Sequence, residues 1–203
     1  MSFVNLFLVM NNINYDKRKQ EYESSYWNNS NGNFNSINGY ETNPKDIYSN
    51  FLKIIEKLEV KNDCKIIDLG CGNGMLVKFI RQNLKLNVIP FGVDFLEKSI
   101  VQAKTIIHPD YATNFRVSNI SKVTFAKNSF DIIILDPSLL STNDFLVLLP
   151  QIKEAANIAS IFYIHDDVLS ALQIQSIKEL YTFNDLSFEI YDFKKISFAV
   201  FMK

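Results

Sequence analysis

The chain has 203 residues, of which 47% are apolar, 21% charged and 13% aromatic, and its 21 Lys and Arg offset 22 Asp and Glu to a net charge of −1. A chain of this size buries about 70% of the surface its unfolded form exposes, so one domain holds a core without disulfides or structural metal. Fibrous, collagen-like and wholly disordered readings are excluded. Arginine occurs only as Arg18, Arg81 and Arg116, which argues against a basic face for tracking nucleic acid. The Lys17-Arg18-Lys19 trio lies among Asp16, Glu21 and Glu23 and reads as a solvated face.

The apolar run from Phe3 to Met10 has no basic lead-in and no small-residue cleavage site, and it is too short to span a bilayer. Cys64 and Cys71 sit close together on one short apolar run and suit a reducing compartment, so the expected location is cytoplasmic. Residues 11–43 differ from the rest: ten of the 33 are Asn, with Tyr15, Tyr22, Tyr26, Trp27, Phe34 and Tyr40 interspersed. Such a stretch builds no core by itself, yet plain linkers lack aromatics. Residues 1–43 are therefore expected to form a partly flexible N-terminal lid or cap, and residues 44–203 the main domain. The alternative for Tyr22, Tyr26 and Trp27 is the core of an N-terminal helix.

From Pro44 the pattern becomes regular. Ile47, Phe51, Ile54, Ile55 and Leu58 form one stripe of an amphipathic helix, with Pro44 in its first turn. Lys65 to Leu69 is a short buried strand, ending in a glycine turn, and a helix follows through Leu76, Phe79 and Ile80. Strand Asn87 to Asp94 precedes a helix with Leu96, Ile100, Ala103 and Ile107 on one face. Strand Asn114 to Ser118 precedes a short polar link. Strand Phe130 to Asp136 leads to a helix from about Ser141, with Asp144 set for a capping box and Pro150 expected to break or restart it. Strand Ser160 to His165 precedes a helix with Leu169, Leu172, Ile177 and Leu180 inward.

Strands apolar throughout, such as Ile132-Ile133-Ile134-Leu135, are covered on both faces. Leu186 to Phe193 and Ile196 to Lys203 are separated only by Lys194-Lys195, too little for a crossover helix. The predicted fold is α/β: a doubly wound, mostly parallel seven-stranded sheet with an antiparallel C-terminal edge hairpin.

In such sheets ligands bind beyond the carboxyl ends of the strands, where the strand order reverses. At the end of the first strand, Asp68-Leu69-Gly70-Cys71-Gly72-Asn73-Gly74 puts three glycines at alternate positions, which lets a ligand lie against bare backbone. Twenty residues after Gly74, Asp94 ends the second strand, where a carboxylate can accept both hydroxyls of a ribose. The third glycine comes one place too early for the dinucleotide fingerprint, which weakens an NAD reading, and no phosphate-loop motif is present. The bland alternative is a tight turn with a surface carboxylate.

The run Ile66-Ile67-Asp68-Leu69-Gly70-Cys71-Gly72-Asn73-Gly74, together with Asp94, resembles the first motifs of class I S-adenosylmethionine-dependent methyltransferases. In element order the resemblance covers about residues 44–203. It implies S-adenosyl-L-methionine as cofactor, with Asp68 and the backbone of Gly70, Cys71, Gly72 and Gly74 at its methionine portion. It further implies Asp94 at the ribose and Phe95 on one face of the adenine. Where the family usually has an Asp for the adenine amino group, this chain has Asn119, followed by Ile120, and the Asn119 amide oxygen is expected to accept that hydrogen bond. Asp136, after the fourth strand, would lie near the transferable methyl. The following Pro137-Ser138-Leu139 departs from the D/N-P-P-Y/F pattern of enzymes that methylate exocyclic amines of nucleobases.

His165 and Asp136 are the candidate catalytic residues. His165 at the sheet rim suits a general base, while Asp166 and Asp167 suit a helix cap. Asp136, Asp166 and Asp167 only loosely resemble the acidic set with which catechol-type methyltransferases hold Mg²⁺, and no metal is expected. Turn or cap duty is the bland alternative for Asp136; Cys71 reads as a small turn residue and His108 as structural or solvated. The resulting expectation is methyl transfer to a small-molecule O or N acceptor held under the N-terminal segment, with no membrane partner. A cofactor-binding protein without turnover, or a methyltransferase acting on RNA or protein, are the alternatives.

Overall fold

The computed structural model describes residue 20 and residues 44–165, 187–193 and 196–203. The expected lid, with Tyr22, Tyr26 and Trp27, lies outside the described residues. So do Asp166, Asp167 and the helix expected to carry Leu169, Leu172, Ile177 and Leu180.

Helix α1 spans Pro44–Ile55, strand β1 Cys64–Leu69, α2 Met75–Asn83, β2 Val88–Asp94 and α3 Glu97–Ile106. Strand β3, Phe115–Val117, follows a 3-10 turn; β4 is Phe130–Leu135, α4 Thr142–Ala155, β5 Ala156–His165, β6 Ser187–Phe193 and β7 Ile196–Met202. The sheet order is β3-β2-β1-β4-β5-β7-β6. The first five strands pair in parallel, and β7 pairs antiparallel with both β5 and β6. The sheet is thus mixed, parallel through its first five strands with an antiparallel pair at one edge. The order reverses at β1, which lies between β2 and β4, and the carboxyl ends of these strands are where such sheets bind ligands.

Alternation along the strands divides the core in two. Ile66, Ile132 and Ile134 face a cluster with Phe51 and Ile54 of α1, Val77 and Ile80 of α2 and Ile100 of α3. Ile67, Ile133 and Leu135 face the other side, against Phe145, Leu148 and Ile152 of α4. Edge-to-face ring pairs lock both layers: Phe51 on Phe198 at 4.7 Å between centroids, and Phe145 on Phe162 at 5.8 Å.

Two boundaries differ from expectation. Helix α4 runs unbroken through Pro150. Pro150 is exposed, as is Leu146 one turn earlier, so water can take the Leu146 carbonyl that the missing N–H leaves unpaired. Strand β5 begins at Ala156, four residues before Ser160, directly after α4. Ala156 already pairs with Phe130, and Asn157 Nδ2 donates to Asp131 Oδ1 at 3.1 Å, so the strand starts in small and polar residues that carry no strand signal of their own. The capping box is present: Ser141 Oγ accepts from the Asp144 N–H at 3.1 Å and donates to Asp144 Oδ2 at 2.7 Å.

Candidate functional site

The glycine loop joins β1 to α2. Gly70, Gly72 and Gly74 have φ of +90°, +51° and +75°, the left-handed region that a Cβ disfavours. The N–H groups of Gly70 and Cys71 both donate to the Val93 carbonyl, at 2.8 and 3.0 Å, tying the loop to β2. A Cβ on Gly70 would collide with Leu139 Cδ1, whereas one on Gly72 would meet nothing within 4 Å. The crest of the loop therefore faces open space with bare backbone.

Asp94 closes this loop from the end of β2. Its Oδ2 accepts from the Gly72 N–H and its Oδ1 from the Leu96 N–H, both at 2.8 Å. Burial raises its pKa, opposed by the N–H groups of Leu96, Gly72 and Phe95. With three backbone donors on its two oxygens, the carboxylate keeps one lone pair for a further donor.

Asp68 on β1 is only 3% exposed, and its Oδ1 has no hydrogen-bond partner among the described residues. Burial, and then the charges of Asp94 and Asp136, push its pKa up to about 8. Asp136, also buried, directly follows β4. Three carboxylates from the ends of three adjacent strands thus share one buried region beside the open face of the loop. Such a region favours a ligand that brings positive charge and hydroxyl donors together.

Phe95 is half-buried and Ile120 buried, an apolar pair beyond Asp94. Asn119 requires a correction. Its Oδ1 accepts from both the N–H and the Oγ–H of Ser121, each at 3.0 Å, as cap of the 3-10 turn Ile120–Lys122. Both lone pairs are taken, so that oxygen is not available to an adenine amino group, and only the amide NH₂ can face a ligand. The Cys71 thiol is buried, with a pKa raised well above its ordinary value by burial and by Asp94 and Asp68, so it is no nucleophile. His165 is the last residue of β5.

Three contributors escaped the sequence reading. Gly92, in register with Asp68 on the neighbouring strand, leaves room for Cys71 Sγ and the Phe115 ring, both 2.6 Å from where its Cβ would be. Tyr48 on α1 is buried, with its ring 5.4 Å from that of Phe79, and burial followed by the Asp68 charge raises its pKa. Leu139 fills the space over Gly70 and meets Ile120 there. Among the described residues no three His, Cys, Asp or Glu side chains are arranged to hold a metal, and no helix is long and apolar enough to cross a membrane.

A family model described as "Methyltransferase domain" matches residues 60–198, more than two-thirds of the chain. No curated protein matches. Among solved structures, the plantazolicin methyltransferase BpumL in complex with SAH is similar at 17% identity and a TM-score of 0.61, covering 93% of this chain and 91% of that one. Magnesium protoporphyrin IX methyltransferase (ChlM) from Synechocystis PCC 6803 with bound SAM is similar at 14% identity and 0.60, covering 89% and 95%. An S-adenosylmethionine dependent methyltransferase from Mesorhizobium loti is similar at 13% identity and 0.60, covering 76% and 96%. At these identities the likeness shows the shared fold.

Proposed function

The chain belongs to the methyltransferase-domain family and is an S-adenosylmethionine-dependent methyltransferase, and on that premise we propose that its acceptor is a small molecule methylated on oxygen or nitrogen. The observation that carries the cofactor site is the buried Asp68-Asp94-Asp136 cluster beside a glycine loop whose crest is open at Gly72. Its unpartnered carboxylate oxygen and bare backbone fit a ligand that is cationic at one end and a nucleoside at the other.

The cofactor supplies a methyl group on a sulfonium that is already activated, so the protein's task is binding, alignment and exclusion of water. Gly70, Cys71, Gly72 and Gly74 offer backbone, and Asp68 charge, to the methionine end. Asp94 accepts a ribose hydroxyl with the lone pair its three backbone bonds leave free. Phe95, Ile120 and the NH₂ of Asn119 flank the base. Asp136 stands on the acceptor side, and His165 at the end of β5 serves as base for an acceptor that must lose a proton. Residues 1–43 close over the acceptor, and 44–203 form the catalytic domain.

The balanced charge and the absence of a D/N-P-P-Y/F run support a small acceptor over nucleic acid. Two buried free cysteines are in keeping with a cytoplasmic setting. Calorimetry with S-adenosylmethionine, its demethylated product and NAD, followed by transfer assays on metabolite, RNA and protein panels, tests this. Binding of the first two but not NAD, with turnover on metabolites, is expected. Turnover confined to RNA or protein overturns the small-acceptor reading, and removal of residues 1–43 without loss of turnover overturns the lid.

A further inference from the structure

Asp68 stands out because, among the described residues, its site gives it nothing to ionise against. It is the fifth of the six residues of β1, flanked in register by Gly92 on β2 and Ile134 on β4. Neither neighbour has a polar side chain, and the carboxyl group is 3% exposed with Oδ1 unpartnered. The titratable groups coupled to it come from every side: Asp94 from β2, Asp136 from β4, Cys71 from the loop and Tyr48 from α1. Each of them is an acid. An ionised carboxylate in such a place has lost its water, gained no donor at one oxygen, and faces like charges.

We propose that Asp68 makes cofactor binding proton-linked: its carboxyl group is neutral in the empty site and releases its proton to solvent when the cationic methionine end of the cofactor arrives. Asp68 thereby selects ligands by positive charge. The proposal rests on the reading of this region as the cofactor site. The balance is simple: the O–H bond of the Asp68 carboxyl breaks, the proton goes to buffer, and the carboxylate left behind pairs with the ammonium and sulfonium charges. An opposite charge at contact distance lowers a carboxyl pKa by about 1–3 units, enough to move Asp68 from mostly protonated to mostly ionised near neutrality. Burial and the two neighbouring aspartates, which hold it at about 8 in the empty site, supply the starting point. The result for the chain is a site that is less negative when empty than its three aspartates suggest, and fully charged only around a cation.

The test is calorimetry on the full chain at pH 7 in buffers of different ionisation enthalpy. The ligands are S-adenosylmethionine and 5′-methylthioadenosine, which keeps the nucleoside and a neutral thioether but lacks both positive groups. Release of close to one proton is expected with the first and none with the second. Affinity for S-adenosylmethionine is expected to rise toward tenfold per pH unit between pH 6 and 7 and to level near 8. The ligand's own amino group titrates just above neutrality, so Asp68→Asn isolates the share of Asp68: release and the rise with pH should both vanish. If that variant does not fold, infrared difference spectra of the wild type with ¹³C-labelled aspartate replace it. Loss of a protonated-carboxyl band on binding supports the proposal, and its persistence overturns it. Tight binding of S-adenosylmethionine without proton release, or equal release with methylthioadenosine, overturns the proposal alone. No binding at any pH overturns the cofactor site and the proposal with it.

Discussion

The two rims of the parallel sheet use the same side chain in opposite ways. At the amino ends, Asp131 Oδ2 accepts from the Lys65 N–H at 2.8 Å and its Oδ1 from Asn157 Nδ2 at 3.1 Å, while Asp63 Oδ1 accepts from Asn87 Nδ2 at 2.6 Å. These exposed bonds join the starts of β1, β2, β4 and β5, and every carboxylate oxygen named has a partner. At the carboxyl ends Asp68, Asp94 and Asp136 are buried, and Asp68 leaves an oxygen unsatisfied. Three residues after β1's exposed Lys65, the same strand gives up stability at Asp68. Aspartates on one rim join strand to strand; on the other, Asp94 ties the glycine loop down and Asp68 is buried with one oxygen unpartnered among the described residues.

That division can be broken by substitution. The largest effect is expected from Asp94→Ala, which on the proposed reading removes a charge-assisted bond to ribose worth about 1.5–3 kcal/mol and so weakens cofactor affinity by about 10–100-fold in calorimetry. It also strips the Gly72 and Leu96 N–H groups of their acceptor, and denaturant titration should show a loss of about 1–3 kcal/mol. Asp68→Asn should act with the opposite sign on the unliganded protein. The folded pKa of Asp68 lies above its ordinary 3.8, at about 8. Its contribution to stability is therefore fully present below the ordinary value and is lost as pH rises through the folded one, at up to about 1.4 kcal/mol per pH unit. Denaturant titrations at pH 6, 7 and 8 should show this decline in the wild type and a flatter profile in the variant.

Smaller effects sharpen the same contrast. Gly72→Ala should fold with a loss of about 1–2 kcal/mol for its left-handed backbone. Its Cβ enters the open space of the site, so a roughly tenfold loss of cofactor affinity is expected from about 1.4 kcal/mol of lost contact. Asp131→Ala, on the opposite rim, should cost about 0.5–1.5 kcal/mol in stability and leave cofactor affinity unchanged. A fall in affinity for Asp131→Ala comparable with that for Asp94→Ala would show that the rims are not separate.

What the sequence makes legible follows from how local the cause is. The left-handed glycines, the strand-ending Asp94 and the capping box are set by adjacent residues, and each sits where its spacing predicts. The edge hairpin is legible because two residues cannot hold a crossover. Contributors defined by a distant partner are not legible. Gly92 reads as a weak point in a strand until Phe115 and Cys71 fill its missing Cβ, and Tyr48 reads as one more apolar position on α1 until Asp68 lies nearby. Asn119 has the right side chain in the right loop, but Ser121, two residues on, occupies its oxygen. Pro150 breaks a helix by rule, yet an exposed face lets water restore what it removes.

The placement of β7 between β5 and β6 also bears on the order of events during synthesis. A chain emerging from the ribosome delivers β5 with the edge from Ala159 to His165 unpaired, and β6, which arrives next, has no partner until β7 follows. The five-stranded parallel part can assemble earlier, but it then carries a bare apolar margin with Ile161 and Phe162, open to the wrong neighbour. Translation interrupted after β6 would leave that margin uncovered, so β7 is the strand that makes the nascent sheet safe from association.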